Sequence, residues 1–281
     1  MLRQVALVSQ SKVVRLAEAA QVGAALQKQV SRDVGPIWSV DATVDVFGEL
    51  SEVPLGYWPV LVRDDVSAQF GAAGIHLDTA RQPFALVQAD PGWALAASHE
   101  VLEMLVDPYG DRLVAGDAPR EARDHGRVEY LVEICDPSEA AEFGYTVNGV
   151  RTSDFYTPAF FDPVPVAGVR YSFTGAVKAP RQVLRGGYLS WRNPLDTHWY
   201  QLRWFTGPRP AVVDLGIFEG TSSTREWVDR QTEDGRGHDV PRVIRARPSR
   251  VAVAPAIARA SHRRAAELSR DVSRVLLGAD A

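Results

Sequence analysis

One short segment of the chain carries three side chains of the kinds that bind metal ions and move protons. Residues 97–110 read ASHEVLEMLVDPYG, with His99, Glu100 and Glu103 among mostly apolar neighbours. On an α-helix, side chains four residues apart differ by about 40° around the axis and by about 6 Å along it. His99 and Glu103 can therefore converge on one ion, while Glu100 points to the side and can reach a water on that ion.

The surroundings of these residues indicate that their placement has a function. Residues 93–106 are apolar nearly all round, except for Ser98 and the three residues above, which predicts a helix in the core. A charge buried there costs on the order of several kcal/mol unless it is paired or binds a metal. Asp107 lies about 12 Å beyond His99 along such a helix, so we expect it to act at the helix end and not as a ligand.

A third ligand must come from a later part of the chain, and the best source is residues 128–136, VEYLVEICD. This segment reads as a strand that ends in Glu133, Cys135 and Asp136. Either carboxylate would complete a site, and the sequence leaves the choice between Glu133 and Asp136 open. A thiolate from Cys135 suits a carboxylate-rich set less well.

The elements around this helix predict an α+β fold. Asp90 is the expected N-cap of the helix, Pro91 suits its first position, and Pro108 ends it. Helical periodicity also runs over residues 13–30. Strand patterns occur at residues 5–9, 38–47, 58–62, 75–77 and 84–88.

After Pro108 the chain becomes rich in Gly, Pro and aromatic residues, which predicts a β-rich part. Strands are expected at 128–135 and 198–205, and Asn148-Gly149 favours the tight turn of a hairpin over 145–150. Residues from 219 to about 250 are polar, and an Ala/Arg/Leu pattern over about 254–277 predicts a terminal helix.

This arrangement resembles the zinc-dependent metallopeptidases called zincins. The similarity lies in Ser98-His99-Glu100 on a core helix, preceded by a mixed sheet with the short strand 75–77 next to it. The chain also resembles uncharacterised bacterial proteins with an S-H-E-x-x-E-x-x-x-D-P helix and a later E-x-x-D, here Glu133 to Asp136. Three parts are then expected: a zincin-like metal-binding domain (1–160), a β-rich extension packed on it (161–218), and a polar linker with a C-terminal helix (219–281).

The resemblance implies a zinc ion held by His99, Glu103 and a downstream carboxylate, with Glu100 activating the bound water to attack a peptide carbonyl. The chain departs from the family because Glu103 replaces a second histidine and because Met104 is the only methionine after residue 1. Two anionic ligands offset the charge of the zinc ion, so its bound water should be less acidic than with neutral histidine ligands. Carboxylates are also harder ligands than histidines and would accept manganese or calcium. We expect Tyr156 to stabilise the oxyanion and Asp154 to orient His99.

Composition restricts the partners. The net charge is −4 and the pI about 5.9, with no basic face for nucleic acid. No segment approaches the roughly 20 apolar residues that span a bilayer, and a single cysteine excludes an intrachain disulfide. We therefore expect a cytoplasmic protein that acts on a peptide or protein substrate, with the C-terminal helix as a surface for a protein partner.

Three alternatives remain open at this level. The buried helix could pair its charges with arginines such as Arg63 or Arg127 and bind no metal. The chain could be a non-catalytic binding or assembly module that keeps a zincin-like scaffold with a structural metal. Finally, Glu100 or Glu103 could form an acid/base pair with Glu133 or Asp136, as in a metal-free glycosidase.

Overall fold

Two five-stranded sheets, a small hairpin and four α-helices make up the part of the chain that the structure describes, a mixed α+β architecture. The structure is a computed structural model and describes residues 2–67, 73–79, 81–220 and 223–235. The terminal helix that we predicted at about 254–277 lies outside these residues.

The first sheet has the strand order β2-β1-β3-β5-β4 and is mixed. Its four strands β2, β1, β3 and β5 are parallel, and the edge strand β4 is antiparallel to β5. The apolar run of β1 is buried on both faces because core clusters cover both sides of the sheet. The bounds are β1 Arg3–Ser9, β2 Ala42–Phe47, β3 Trp58–Arg63, β4 Gly74–Thr79 and β5 Gln82–Gln88.

The strand that the alternating pattern predicts over residues 38–47 begins later in the structure, at Ala42. Gly35–Trp38 form a short helix, α2, and Ser39 then adopts a left-handed conformation with φ of 56°. This turn has to be completed before the chain can enter β2 at Ala42. The preceding helix α1 covers Leu16–Lys28 and continues as a π-helical segment, Gln29–Val34.

Helix α3, Trp93–Val106, is the element that carries His99 and Glu103. Our assignment of Asp90 as its N-cap is wrong, because the cap position is Gly92, which makes no side-chain capping bond. Asp90 stabilises the turn before the helix instead: its Oδ1 accepts the Gly92 N–H at 2.7 Å. The helix ends before Asp107, as the following proline predicts.

The second sheet is antiparallel, with the strand order β12-β11-β10-β7-β6. The strand predicted at 128–135 is shorter than expected, since β7 ends at Leu131 and residues 132–135 leave the sheet. The bounds are β6 Leu113–Asp117, β7 Arg127–Leu131, β10 Tyr188–Arg192, β11 His198–Arg203 and β12 Ala211–Ile217.

The predicted hairpin is present as β8, Tyr145–Val147, and β9, Val150–Thr152. Its turn residues Asn148 and Gly149 have φ values of 49° and 81°. Positive φ at both positions is what a two-residue hairpin turn of this kind requires. Helix α3 packs between β4 and β5 of the first sheet and this hairpin.

A fourth helix, α4, spans Thr224–Gly235, within the segment that the sequence indicated as a polar linker. Although this helix is mostly polar, three of its described residues are buried: Arg225, Val228 and Thr232. Among the described helices, none has the length and apolarity needed to cross a membrane.

Candidate metal centre

The two predicted ligands on α3 point into the protein, where a carboxylate from another segment joins them. The imidazole Nε2 of His99 lies 3.2 Å from Glu103 Oε2 and 3.1 Å from Asp136 Oδ1. Asp136 begins a short 3-10 turn, Asp136–Ser138, beyond the end of β7. The one-turn spacing on α3 therefore produces the convergence that the sequence predicts, and the downstream segment supplies a partner.

Glu133 lies in the same cluster. One oxygen each from Glu103, Glu133 and Asp136 lies within 4.8 Å of the others, and all three side chains are buried. Both downstream carboxylates thus reach the cluster. Asp136 contacts His99, whereas Glu133 contacts a cation described below.

The local backbone orients Glu103. Its Oε1 accepts the N–H of Cys135 at 3.0 Å, which leaves Oε2 directed at His99. On the other side of α3, Ser98 Oγ donates to Gln29 at 2.8 Å and accepts the N–H of Ser153 at 2.9 Å. Ser98 therefore fixes the helix against its neighbours and is not part of the cluster.

Several polar atoms of the cluster lack well-oriented hydrogen bonds. Within the described part of the chain, these buried atoms are Glu100 Oε2, Glu103 Oε2, Asp136 Oδ1 and both carboxylate oxygens of Glu133. Buried oxygens are normally satisfied. Ion pairs with His99 and Arg225 engage only some of these oxygens, and Glu133 Oε1 has no partner among the described residues, so the group can offer oxygens to a cation. Oxygens with one imidazole suit zinc, and also harder divalent ions. The residues present thus fit a metal ion.

Arg225 on α4 is a cation of the cluster that was not among the predicted residues. Its NH1 lies 2.8 Å from Glu103 Oε2 and also contacts Glu133 Oε2. Its Nε contacts both oxygens of Asp229, at 2.8 and 2.9 Å. The two arginines that we considered as partners pair elsewhere, Arg63 with Asp65 and Arg127 with Asp117. No local pattern connects Arg225 with α3, because more than 100 residues separate them.

His76 on β4 is a second neighbour of the cluster and was not among the predicted ligands. It is buried, and its Nε2 lies 3.2 Å from the carbonyl oxygen of Asp107. Since a carbonyl only accepts, Nε2 must carry the hydrogen. The other nitrogen, Nδ1, lies 3.4 Å from Glu100 Oε2. His198, by contrast, pairs with Asp214 in the second sheet, away from the cluster.

The structure places Tyr156 and Asp154 differently from our expectation. Tyr156 is fully buried, stacks on Phe160 and is not among the residues that line the cleft described below. Asp154 accepts the N–H of Thr174 at 2.8 Å and does not orient His99. Asp107 acts at the helix end as expected, where it accepts the N–H groups of Asp111 and Arg112.

The charges of the cluster shift the pKa values of its members. Burial by itself raises the pKa of Glu103, but Arg225 and His99 outweigh it and hold this pKa below its usual range. Burial and the charge of Glu103 raise the pKa of Asp136 well above normal. Burial lowers the pKa of His99, yet Glu103 and Asp136 more than reverse this effect. Burial also raises the pKa of the Cys135 thiol, which disfavours a thiolate.

A cleft of about 220 Å³ opens onto the cluster. His99, Glu100, Arg225 and Asp229 line it. Gly74 makes room for Glu100, because a Cβ at this position would lie 2.6 Å from Glu100 Oε1. Glu100 is thus held beside the cluster with its carboxylate at the cleft, the position that a base requires.

Comparisons of the chain with known protein families, with curated proteins and with solved structures found no match.

Proposed function

We propose that the chain is a metal-dependent hydrolase with a zincin-like core, most simply a zinc metallopeptidase acting on a peptide or protein. Manganese or calcium are the alternatives that a carboxylate-rich site would accept. The observation that carries the proposal is the convergence of His99, Glu103, Glu133 and Asp136 beside a cleft, with carboxylate oxygens that lack well-oriented hydrogen bonds.

The charge of the cluster supports a divalent cation. Four buried carboxylates, those of Glu100, Glu103, Glu133 and Asp136, are grouped around two basic side chains, Arg225 and His99. Buried charges are costly unless they are neutralised. A doubly charged ion would offset most of the excess negative charge without requiring the carboxylates to be protonated.

The chain's own residues divide the remaining work. His99 and Glu103 would hold the ion, with Asp136 and Glu133 completing the set. When bound, the ion would act as a Lewis acid that polarises a carbonyl oxygen and lowers the pKa of a water. Glu100 would take a proton at its carboxylate from the attacking water and return it to the leaving amine.

Elemental analysis of the purified protein tests the proposal. We expect about one equivalent of metal in the wild-type chain after exposure to zinc or manganese, and its loss in His99→Ala and Glu103→Gln. The matched control is Glu129→Gln, which removes a carboxylate that pairs with Arg192 in the second sheet. Absence of stoichiometric metal from the folded wild-type protein would contradict the proposal.

A second candidate is a non-catalytic binding or assembly module with a structural or vestigial metal site. The vestigial case is favoured by the contact of Arg225 with Glu103 and Glu133, because the arginine already neutralises part of the charge of these carboxylates. The two candidates differ at Glu100, which only the hydrolase needs for chemistry.

A further inference from the structure

Helix α4 inserts a positive charge into the proposed metal site. The side chain of Arg225 is 4% exposed, and its guanidinium contacts Glu103 and Glu133, two of the carboxylates that would hold the ion. Asp229, one turn later on the same helix, holds the guanidinium through Nε. The guanidinium is therefore held in place by an ion pair within α4 itself.

The loop after α3 provides a seat shaped for Arg225. The backbone N–H of Arg225 donates a hydrogen bond to the carbonyl oxygen of Gly110 at 3.2 Å. Gly110 has a φ of +62°, and a Cβ there would lie 2.5 Å from the Cβ of Arg225. Two turns further along the same buried face of α4, the Oγ1 of Thr232 accepts a hydrogen bond from Gln201 Nε2 of β11. The helix is thus attached both to the segment that bears the ligands and to the second sheet.

The guanidinium and a metal ion require the same carboxylate oxygen. Glu103 Oε2 lies 2.8 Å from Arg225 NH1 and 3.2 Å from His99 Nε2. An ion bound by His99 and Glu103 would lie within a few ångströms of the guanidinium, where two positive charges repel strongly at low dielectric constant.

We propose that Arg225 is an intramolecular competitor of the metal ion: docked α4 places its guanidinium on Glu103 and Glu133, and tight ion binding requires the guanidinium to withdraw. Because Arg225 and Asp229 also line the cleft, the same movement widens the access to Glu100. Helix α4 would thus control both the metal occupancy and the exposure of the site. This inference rests on the metal site of the proposed function.

Calorimetric titration of the full chain with Zn²⁺ or Mn²⁺ alone tests the competition. Arg225→Gln is expected to bind the ion at least about tenfold more tightly than the wild type, because the competing charge is gone. Asp229→Asn keeps the guanidinium but loosens it, and should give an intermediate affinity. The control Arg230→Gln removes an arginine of the same helix that pairs with Glu226, and should bind like the wild type.

A second measurement covers the case in which Arg225→Gln is unstable, since it leaves buried carboxylates unpaired. The rise in melting temperature on adding the ion should then be larger in Arg225→Gln than in wild type, because the ion replaces the lost charge. Equal or weaker binding by Arg225→Gln, with wild type binding normally, would overturn the inference alone. If no variant binds the ion, the proposed function fails and the competition fails with it.

Discussion

At the scale of single residues, the candidate site depends on side chains that are held by their neighbours before any ligand arrives. Glu103 is oriented by the Cys135 N–H, and Glu100 is placed by the absence of a side chain at Gly74. Such fixed positions lower the cost of ordering the site during binding and catalysis. Each can be tested by a substitution that changes few atoms.

If Glu100 is the base of a hydrolase, Glu100→Gln should abolish hydrolysis and leave metal binding intact. A glutamine has the same shape as glutamate but cannot accept a proton, so we expect a loss of at least about 100-fold in kcat, as is typical when a general base is removed. The measurement is cleavage of a mixed peptide library, with metal content determined in parallel. Full activity of Glu100→Gln would exclude Glu100 as the base and would favour the non-catalytic module.

Ser98 should matter for stability and not for metal binding. Its hydroxyl is buried and bonds to both Gln29 and Ser153, so Ser98→Ala removes a hydrogen-bond partner from the Gln29 side chain, in the π-helical segment after α1, and from the Ser153 N–H. We expect a loss of about 1–3 kcal/mol in the free energy of unfolding, measured by urea denaturation. Ser51→Ala, at an exposed position, is the control and should change stability by less than about 0.5 kcal/mol.

At the scale of elements, the turn after α3 links the helix that carries the ligands to α4. Gly110 is the last residue of the segment ASHEVLEMLVDPYG. The sequence of this segment does not reveal its role, because the residue that Gly110 contacts, Arg225, lies on α4. The turn and α4 together enclose one side of the cluster, so changes in the turn should be transmitted to α4.

Gly110→Ala is expected to release α4 from its seat. An alanine at this position would have to adopt a left-handed backbone conformation, and its Cβ would overlap the side chain of Arg225. Amide hydrogen exchange should therefore accelerate in residues 224–232. Gly126→Ala is a matched control, because Gly126 also has a positive φ, of +67°, but its added Cβ would meet no atom within 4 Å. Equal exchange in α4 of both variants would show that the Gly110 contact is unimportant.

At the scale of the whole molecule, one core joins the parts that the sequence suggested dividing at residue 160. A single core cluster includes residues from Val5 to Leu202, and β7 of the first part pairs with β10 of the second. Trp191 on β10 is fully buried and lies opposite Tyr130 on β7. The strand β7, which ends two residues before Glu133, and the strand β10 therefore belong to the same sheet.

We predict that a fragment of residues 1–160 does not unfold cooperatively on its own. It would lose the β10 partner of β7 and expose apolar surface that Trp191 and Leu189 cover in the full chain. Thermal unfolding followed by circular dichroism should show a broad change, in contrast to a sharp transition of the full chain. A sharp transition of the fragment would establish residues 1–160 as an independent domain.

The sequence by itself determined the parts of this protein that depend on local periodicity. It predicted the five strands of the first sheet, the helix with His99 and Glu103, and the hairpin turn at Asn148-Gly149, because apolar spacing and turn chemistry act over a few residues. The same local geometry accounts for the convergence of His99 and Glu103. It also directed attention to Glu133 and Asp136 as the source of further carboxylates.

Only the tertiary structure decided which distant groups meet these residues. It brings both Glu133 and Asp136 to the cluster, adds His76 and Arg225, and removes Tyr156 from the cleft. These contacts join segments that are far apart in sequence, so no periodic pattern encodes them. They are set by how the sheets and α4 pack around α3, where burying apolar surface determines which charges must share the same small volume.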